Sequence, residues 1–309
     1  MLLRHPRRRP RRPGSARRLV AGGRPGERRP RGPGRAGAAA ALRGPRLRGE
    51  RRPSLSPQVS TLDQLAGRLL GDHPRPGVLY GIGAGPGDPG LLTLRAAALL
   101  RRLDLVAVPR SVRGGGVAVQ AIAAHTAPGS LVELVSDMPA DPGAVARGWR
   151  GRTAPLVTAL DEGRTVGMVT DGDPSLYSTF AHAAAAIVEA RPATEVAVVP
   201  GVPSMCAAAA VEGRPLAVGA DRVAVLPASR LETGDLEAAL AAADTVVLLK
   251  AGAAIRRLRA LLEGPARGWS VRYARRVGLE GEEHADTLDG ASADYMALVI
   301  LRRPTAGGG

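Results

Sequence analysis

From Gly77 onward, short apolar runs alternate with longer Ala-rich or amphipathic segments. Five of the runs predict strands: VLYGIGAG (78–85), DLVAVP (104–109), LVELVS (131–136), TVGMVT (165–170) and EVAVVP (195–200). The segments between them predict helices: LLTLRAAALLRR (91–102), VAVQAIAAH (117–125), AVARGWRGRTAPLVTALDEG (144–163) and TFAHAAAAIVEA (179–190). Apolar strands that alternate with helices indicate an α/β fold built on a mostly parallel, helix-covered sheet.

After Pro200 the pattern changes. Strands are predicted at 222–228, 245–250, 271–277 and 295–303, with helices near 234–243 and 253–262. The polar segment 278–294 between the last two strands predicts a connection of turns. The sequence therefore predicts a second α/β domain with a mixed sheet, so that the domains run from 76 to 212 and from 213 to 304.

Charge is concentrated at the start of the chain. Of the net charge of +15, residues 1–52 carry +16, from 18 arginines against two acids, and the remaining residues carry −1. Because residues 1–75 are rich in Arg, Pro and Gly, we predict that they form a disordered tail, as do residues 305–309. Such a tail has three candidate explanations: a nucleic-acid-binding arm, a targeting peptide, and a translation start assigned too far upstream in a GC-rich gene. The third is favoured.

Cysteine and apolar content exclude several classes of protein. The single cysteine, Cys206, rules out a disulfide framework and is expected to be a small buried residue. His125 and His182 lack further ligands at metal spacing, so no metal site is expected. No apolar run of about 18 residues is present, which predicts a soluble, cytoplasmic protein without a membrane span.

The loop GAGPGDPG (83–90) contains Gly85-x-Gly87-x-x-Gly90, which fits the dinucleotide-binding pattern. A phosphate cradle needs backbone N–H donors, and the two prolines of the loop have none. Asp88 adds a negative charge where phosphate would lie. The loop therefore suits a neutral or cationic ligand, and a stiff turn without a ligand is an equal alternative. For Asp88, capping the helix near Leu91 is as well supported as catalysis.

Four blocks in order resemble the tetrapyrrole methylases, S-adenosylmethionine-dependent enzymes of corrin and sirohaem synthesis. They are GIGAGPGDPGLLTL (81–94), DGDPSLYSTF (171–180), PGVPSMCAAAAVEGRPLAV (200–218) and VVLLKAG (246–252). GDPSLYSTF is similar to the branch that methylates precorrin-2 at carbon 20, with or without cobalt, giving precorrin-3A in the metal-free case. The resemblance, from about Val78 to Arg302, implies two α/β domains with a cofactor cleft between them, a tetrapyrrole substrate and a homodimer.

The resemblance also implies which residues bind S-adenosylmethionine. By block they are Pro86; Gly172, Asp173, Leu176 and Ser178; Pro203 and Ser204; Lys250 and Ala251; and, outside the four blocks, Val277. The departures from the family pattern are Asp171-Gly172 before the aspartate of the second block, Pro203, and DYMAL (294–298) in the last strand.

Precorrin-2 carries many carboxylates, so cations are expected around its site. Arg110 and Arg113, after the second predicted strand, are the leading pair, followed by Arg214; a solvated surface role is the alternative for each. Tyr177 is a further candidate for substrate contact. A base could be Asp88, Asp171, Asp173 or Tyr177, and the sequence does not choose among them. Rival functions are a methylase of other regiospecificity, a nucleic-acid-binding protein using the tail, and a nicotinamide dehydrogenase.

Overall fold

The computed structural model describes residues 74–111, 117–136 and 142–304, all within one compact unit. The predicted tails at 1–73 and 305–309 lie outside the described residues, as does Arg113. Arg75, which we assigned to the tail, belongs to the folded part of the chain. Its guanidinium bonds Glu195 at 2.5 Å, and its backbone N–H donates to the Tyr80 hydroxyl at 2.9 Å.

The first sheet consists of five parallel strands in the order β3-β2-β4-β1-β5. They are β1 Val78–Gly83, β2 Leu105–Ser111, β3 Leu131–Ser136, β4 Val166–Thr170 and β5 Glu195–Val199. The helices among them are α1 Leu94–Leu100, α2 Val117–Ile122, α3 Pro142–Arg152, α4 Ala154–Asp161 and α5 Phe180–Ala190. Each strand predicted before Pro200 is confirmed.

Both faces of this sheet are covered at the strands β1 and β4, which explains why these strands are apolar almost throughout. Successive side chains of a strand point to opposite faces. On one face Leu79 and Met168 pack with Phe180 of α5, and on the other Ile82 packs with Leu100 of α1. Helices on both faces of a parallel sheet leave only the strand ends open for ligands.

The segment predicted as one helix at 144–163 is two helices, α3 and α4. Pro155 lies in the first turn of α4, where no backbone N–H is needed. In the middle of one continuous helix, the same proline would remove a hydrogen bond and interrupt the helix. Thr153 joins the two helices, and its hydroxyl donates to the carbonyl oxygen of Trp149 at 2.8 Å.

The second sheet has the order β6-β7-β10-β8-β9, and only its β6–β7 pair is parallel. Its strands are β6 Val223–Pro227, β7 Thr245–Leu249, β8 Ser270–Arg275, β9 Glu283–Ala285 and β10 Ala297–Arg302. Its helices are α6 Ser204–Glu212, α7 Thr233–Ala242 and α8 Ile255–Glu263. The mixed sheet is confirmed. The boundary between domains at 212–213 stays a prediction, and the change of sheet falls beside it.

Strand β9 lies in the segment that we predicted to contain only turns. It is three residues long and half-buried, and it pairs with β8 through Ala285 opposite Tyr273. Its residues, Glu-His-Ala, show no alternation of apolar and polar side chains. The pairing partner, rather than the segment's own sequence, makes it a strand.

One face of the second sheet joins the two sheets. Val247 and Ile300 on this face pack against Ala208 of α6, and they also contact Leu176 and Val202 from loops of the first sheet. The opposite face packs against α7 and α8. Apolar side chains from both sheets therefore share one core at their junction.

Two further expectations can be compared with the structure. Cys206, expected to be buried, is exposed on α6, because the buried face of that helix is formed by the following residues Ala207 to Ala209. Among residues 74–111, 117–136 and 142–304, no helix has both the length and the apolar character needed to cross a membrane.

Candidate functional site

The loops that follow β1, β4 and β5 meet at the carboxyl edge of the first sheet. Gly85 and Gly172 exchange two backbone hydrogen bonds, of 3.2 and 2.7 Å. A Cβ atom added to Gly201 would lie 2.1 Å from the Gly172 carbonyl oxygen and 2.8 Å from the Gly83 Cα. A Cβ atom on Gly83 would likewise lie 2.5 Å from the Gly201 nitrogen, and Gly172 has a φ of +66°. Glycines of three different blocks are therefore required together, two for the close approach and one for its backbone conformation.

The second sheet contributes the loop after β7. The Lys250 ammonium donates to the Tyr177 carbonyl at 3.3 Å, and the Tyr177 hydroxyl donates to the carbonyl oxygen of Val225 in β6 at 2.8 Å. Tyr177 and Lys250 both have positive φ angles, 49° and 56°. Because side chains disfavour that conformation, its presence at two contacting residues indicates local strain held by the surrounding structure. We call residues 84–88, 171–178, 200–204 and 250–251 the loop junction.

Asp173 ties two of these loops together. One carboxylate oxygen accepts from the backbone N–H and the hydroxyl of Ser175, and the other accepts from the Gly201 N–H at 2.9 Å. Partial burial acts to raise the pKa of Asp173, but the hydrogen bonds from Ser175 and Gly201 together outweigh it and hold the pKa below its usual value. Both oxygens are thus engaged in loop architecture.

Asp171, two residues earlier, differs from Asp173 in its hydrogen bonds and in the direction of its pKa shift. Its carboxylate accepts from the backbone N–H of Ala118, at the start of α2, at 3.0 Å. Burial raises the pKa of Asp171 and outweighs the opposing effects of that hydrogen bond and of the Lys250 charge. The residue as a whole is nevertheless exposed. Asp171 is therefore packed among protein atoms and is still in contact with solvent.

Thr170, the last residue of β4, was not identified from the sequence. Its side chain is buried, and within the described residues its hydroxyl has no hydrogen-bond partner. Buried hydroxyl groups are nearly always bonded to protein, water or ligand. The only signal in the sequence is a threonine that ends an otherwise apolar buried strand directly before the DGDP motif.

For Asp88 the structure supports the capping alternative. Its carboxylate accepts from the Gly90 N–H at 2.7 Å and caps the short 3-10 turn Pro89–Leu91. A Cβ atom on Gly278, which follows β8, would lie 2.8 Å from the Asp88 backbone nitrogen. The first loop is therefore in close contact with the second sheet as well as being stiffened by its prolines.

The structure places the other predicted cofactor residues at or beside the loop junction. Pro86 is buried in the first loop, and Leu176 packs in the shared core. The Ser178 hydroxyl oxygen accepts from the Phe180 N–H at 3.1 Å. Pro203 caps α6, and Ser204 begins it.

Ala251 and Val277 differ from these because their side chains are buried in the second sheet's core. The Ala251 N–H donates to the Ala297 carbonyl at 2.8 Å, and its own carbonyl accepts from Ala254. Contact between either residue and a ligand would therefore involve backbone atoms.

The predicted substrate arginines are not brought together. Arg110, near the end of β2, forms an ion pair with Glu133 of β3 at 3.0 Å, and half of each side chain is exposed. Arg214 follows the carboxyl end of α6, about 15 Å along the helix axis from Ser204. Arg113 lies outside the described residues. Of this set, Tyr177 alone belongs to the loop junction, and its hydroxyl is bonded to Val225.

Fold and site together define a class of protein: a parallel α/β sheet whose acidic, proline-stiffened strand-end loops meet a second, mixed sheet. The family model for Tetrapyrrole (Corrin/Porphyrin) Methylases matches residues 78–291. The chain belongs to this family.

Several known proteins are similar to the chain. The cobalamin biosynthesis protein CobIJ of Mycobacterium tuberculosis (strain ATCC 25618 / H37Rv) is 31% identical over 236 residues, which are 73% of this chain and 46% of that protein. This chain thus spans about half of that relative's length. A Methanocaldococcus jannaschii protein named "Probable cobalt-precorrin-2 C(20)-methyltransferase" is 29% identical, over 73% of this chain and 96% of its own. Precorrin-2 C(20)-methyltransferase of a Sinorhizobium species is 28% identical, over 73% and 95%.

Among solved structures, uroporphyrin-III C-methyltransferase from Thermus thermophilus in complex with S-adenyl homocysteine is similar to this chain. It has a TM-score of 0.53 and 25% identity, covering 72% of this chain and 96% of that one. A cobalt precorrin-4 methyltransferase, CbiF, has a TM-score of 0.58 at 22% identity, over 73% and 95%. These likenesses confirm the predicted fold.

Proposed function

We propose that this protein is an S-adenosylmethionine-dependent C-methyltransferase that methylates precorrin-2, or its cobalt form, at carbon 20. The observation that carries the proposal is the match along almost the full length of two relatives, 96% and 95%, whose names specify that substrate and that carbon. The motif GDPSLYSTF at residues 172–180 supports the same branch of the family.

The loop junction fits S-adenosylmethionine chemically. The cofactor has no phosphate and carries a sulfonium cation, and the first loop has prolines where phosphate-facing N–H groups would be needed. Asp171 supplies negative charge at the loop junction, and the Thr170 hydroxyl, which has no hydrogen-bond partner within the described residues, offers a hydrogen bond. We propose as cofactor residues Pro86, Gly172, Asp173, Leu176, Ser178, Pro203, Ser204, Lys250, Ala251 and Val277.

The cofactor supplies a methyl group on an already good leaving group, so the protein's contribution is alignment and the exclusion of water. Alignment depends on rigid loops. The contacts among Gly83, Gly172 and Gly201, together with the Asp173 carboxylate that bridges two loops, provide that rigidity. The apolar side chains Leu176 and Val202 pack beneath the loops and keep water from their inner side.

The tetrapyrrole's carboxylates would be bound by cations around the loop junction. Arg110 is exposed enough to exchange its partner Glu133 for a substrate carboxylate, because a surface ion pair is worth only about 0–1 kcal/mol. Arg113, Arg214 and Tyr177 remain proposed as further substrate contacts. Arg214 would need a ligand that extends far from Ser204.

The test is incubation of the purified protein with S-adenosylmethionine carrying a carbon-13 methyl group. Precorrin-2 and cobalt-precorrin-2 are supplied in separate reactions. We expect a mass gain of one labelled methyl, and a carbon-13 resonance that assigns it to C20. A methyl at another ring carbon would support the alternative of a methylase with different regiospecificity, and no methyl transfer to either substrate would overturn the proposal.

Cofactor competition separates the remaining rivals. Calorimetry should show binding of S-adenosylhomocysteine and no binding of NAD, whereas a nicotinamide dehydrogenase requires the reverse. A nucleic-acid-binding function would depend on the arginine-rich residues 1–52, and deleting them would abolish a salt-sensitive binding signal.

We further propose that the protein is a cytoplasmic homodimer. Exposed apolar side chains offer a surface for a dimer interface. Val196 and Val198, on the edge strand β5, are 40% and 49% exposed. Apolar residues on a sheet edge favour association. Light scattering after gel filtration should give twice the chain mass for the parent protein, and the monomer mass for a variant that carries Val196→Lys and Val198→Lys. A monomeric parent protein would refute the dimer.

A further inference from the structure

Asp171 stands apart from the other acidic residues of the loop junction. Asp88 caps the 3-10 turn, and Asp173 has both carboxylate oxygens engaged by Ser175 and Gly201. Asp171 accepts, within the described residues, only the Ala118 N–H. It is also the last side chain before Gly172, at the carboxyl end of central strand β4, where ligands of open α/β sheets bind.

The reaction proposed above needs a proton acceptor. When C20 of precorrin-2 has gained its methyl group, it carries both that methyl and its original hydrogen, and the ring holds one positive charge. The C20–H bond must then break. Its electron pair returns to the ring, neutralising the charge, and the proton must go to a base within reach of C20.

We propose that Asp171 is this base: its carboxylate accepts the C20 proton and becomes a neutral carboxyl group, which then releases the proton to solvent. The inference rests on the proposed function. Among the residues that the structure describes, one carboxylate oxygen bonds Ala118 and the other has no hydrogen-bond partner, so the geometry holds the group in place and leaves a lone pair for the substrate. The family resemblance does not supply this role, because the residue before the GDP motif is one of the chain's departures from the family pattern.

The electrostatic surroundings favour the protonated form of Asp171 more than those of an ordinary aspartate do. Burial raises the pKa of Asp171, while the Lys250 ammonium and the Ala118 N–H lower it by smaller amounts. Helix α2, which packs against it, has the sequence VAVQAI and carries no charged side chain. A carboxylate with a raised pKa accepts a proton more readily than an ordinary aspartate and still returns it to water.

The decisive variant is Asp171→Asn. The asparagine oxygen can still accept from Ala118, so the variant removes the base and keeps the hydrogen bond. Precorrin-2 tritiated at C20 is used with excess S-adenosylmethionine in a single turnover, and two rates are followed: formation of S-adenosylhomocysteine and release of tritium to water. We expect S-adenosylhomocysteine formation within about tenfold of the parent rate and tritium release slowed about 100-fold or more, as the loss of a general base implies.

Matched variants complete the experiment. Asp171→Glu should restore part of the tritium release, and Asp161→Asn, on the exposed end of α4, should leave both rates unchanged. Without substrate, a carbon-13 titration of labelled aspartate should contain one resonance that titrates above the usual pKa of 3.8 and disappears in Asp171→Asn.

Release of tritium at the parent rate in Asp171→Asn would overturn the assignment, as would an equal loss of both rates. So would the lack of any aspartate resonance with a raised pKa. Failure of the proposed function looks different. In that case the parent protein itself forms no C20-methylated product, and the base assignment falls with it.

Discussion

The contact among Gly83, Gly172 and Gly201 allows a sharp test of the loop junction. In Gly201→Ala, the added Cβ atom would lie 2.1 Å from the Gly172 carbonyl oxygen. That oxygen must withdraw by about 0.9 Å to reach 3.0 Å, below which such contacts essentially do not occur. The neighbouring atoms belong to backbone, so no side-chain rotation can relieve the overlap.

The cost follows from the bonds that this movement strains. Gly172 is held by two backbone hydrogen bonds to Gly85, and Gly201 donates to the Asp173 carboxylate. A neutral hydrogen bond contributes about 1 kcal/mol and a bond to a charged group about 1.5–3 kcal/mol. We therefore expect Gly201→Ala to destabilise the fold by about 3 kcal/mol. In a protein of this size that lowers Tm by about 6–12 °C.

The assay pairs thermal unfolding with calorimetric titration of S-adenosylhomocysteine. Because the displaced loops belong to the proposed cofactor site, the affinity for S-adenosylhomocysteine should fall at least tenfold. A tenfold loss corresponds to about 1.4 kcal/mol of binding free energy. Gly234→Ala is the control: a Cβ there meets no atom within 4 Å, and alanine favours helix α7 by about 0.5–1 kcal/mol. A Gly201→Ala protein with the parent Tm and parent affinity would refute the reasoning.

Three further outcomes are expected. Asp104→Asn should lower the free energy of unfolding at pH 7 by about 1 kcal/mol, since hydrogen bonds from the Thr165 backbone and hydroxyl depress the pKa of this exposed carboxylate. Chemical denaturation should show this difference fading as pH falls below 3.8. Glu212→Ala should lower the free energy of unfolding in urea by about 3–5 kcal/mol, because the carboxylate is 5% exposed and lies 3.7 Å from the Arg302 guanidinium. Burial lowers the pKa of Arg302, so its charge depends on this partner. A loss below 1 kcal/mol would contradict this. Deleting residues 1–73 should leave S-adenosylhomocysteine affinity within twofold, whereas deleting residues 1–80 should abolish folding, because β1 begins at Val78.

The sequence predicted the fold well because its strongest signals are local. Each buried strand before Pro200 is a short apolar run, and each is bounded by Gly, Pro or Asp residues that end it. Strand β9 escaped prediction for the opposite reason. Its three residues have no pattern of their own and become a strand only because β8 offers backbone groups to pair with.

For the site, the sequence identified the loops and not the state of each side chain. Asp171 and Asp173 stand two residues apart in one motif and look equivalent on paper. In the folded chain the Gly201 N–H, 28 residues away, occupies one oxygen of Asp173, while Asp171 accepts, within the described residues, only the Ala118 N–H. Which carboxylate is free to react depends on these long-range contacts.

The same dependence explains the positions that the sequence could not evaluate at all. Thr170 ends a buried strand as many threonines do, and only its hydroxyl, which has no partner among the described residues, marks it as a candidate for ligand contact. The glycine of PGVPSM looks like an ordinary turn residue, yet it is needed because an added Cβ atom would lie within 3 Å of backbone atoms of Gly172 and Gly83. Motif residues of this family site thus divide into those that shape the backbone, such as Gly201 and Asp173, and those left chemically available, such as Thr170 and Asp171. Substitution should separate the two groups experimentally: changes in the first should lower stability and cofactor affinity together, and changes in the second should alter binding or proton transfer while Tm stays constant.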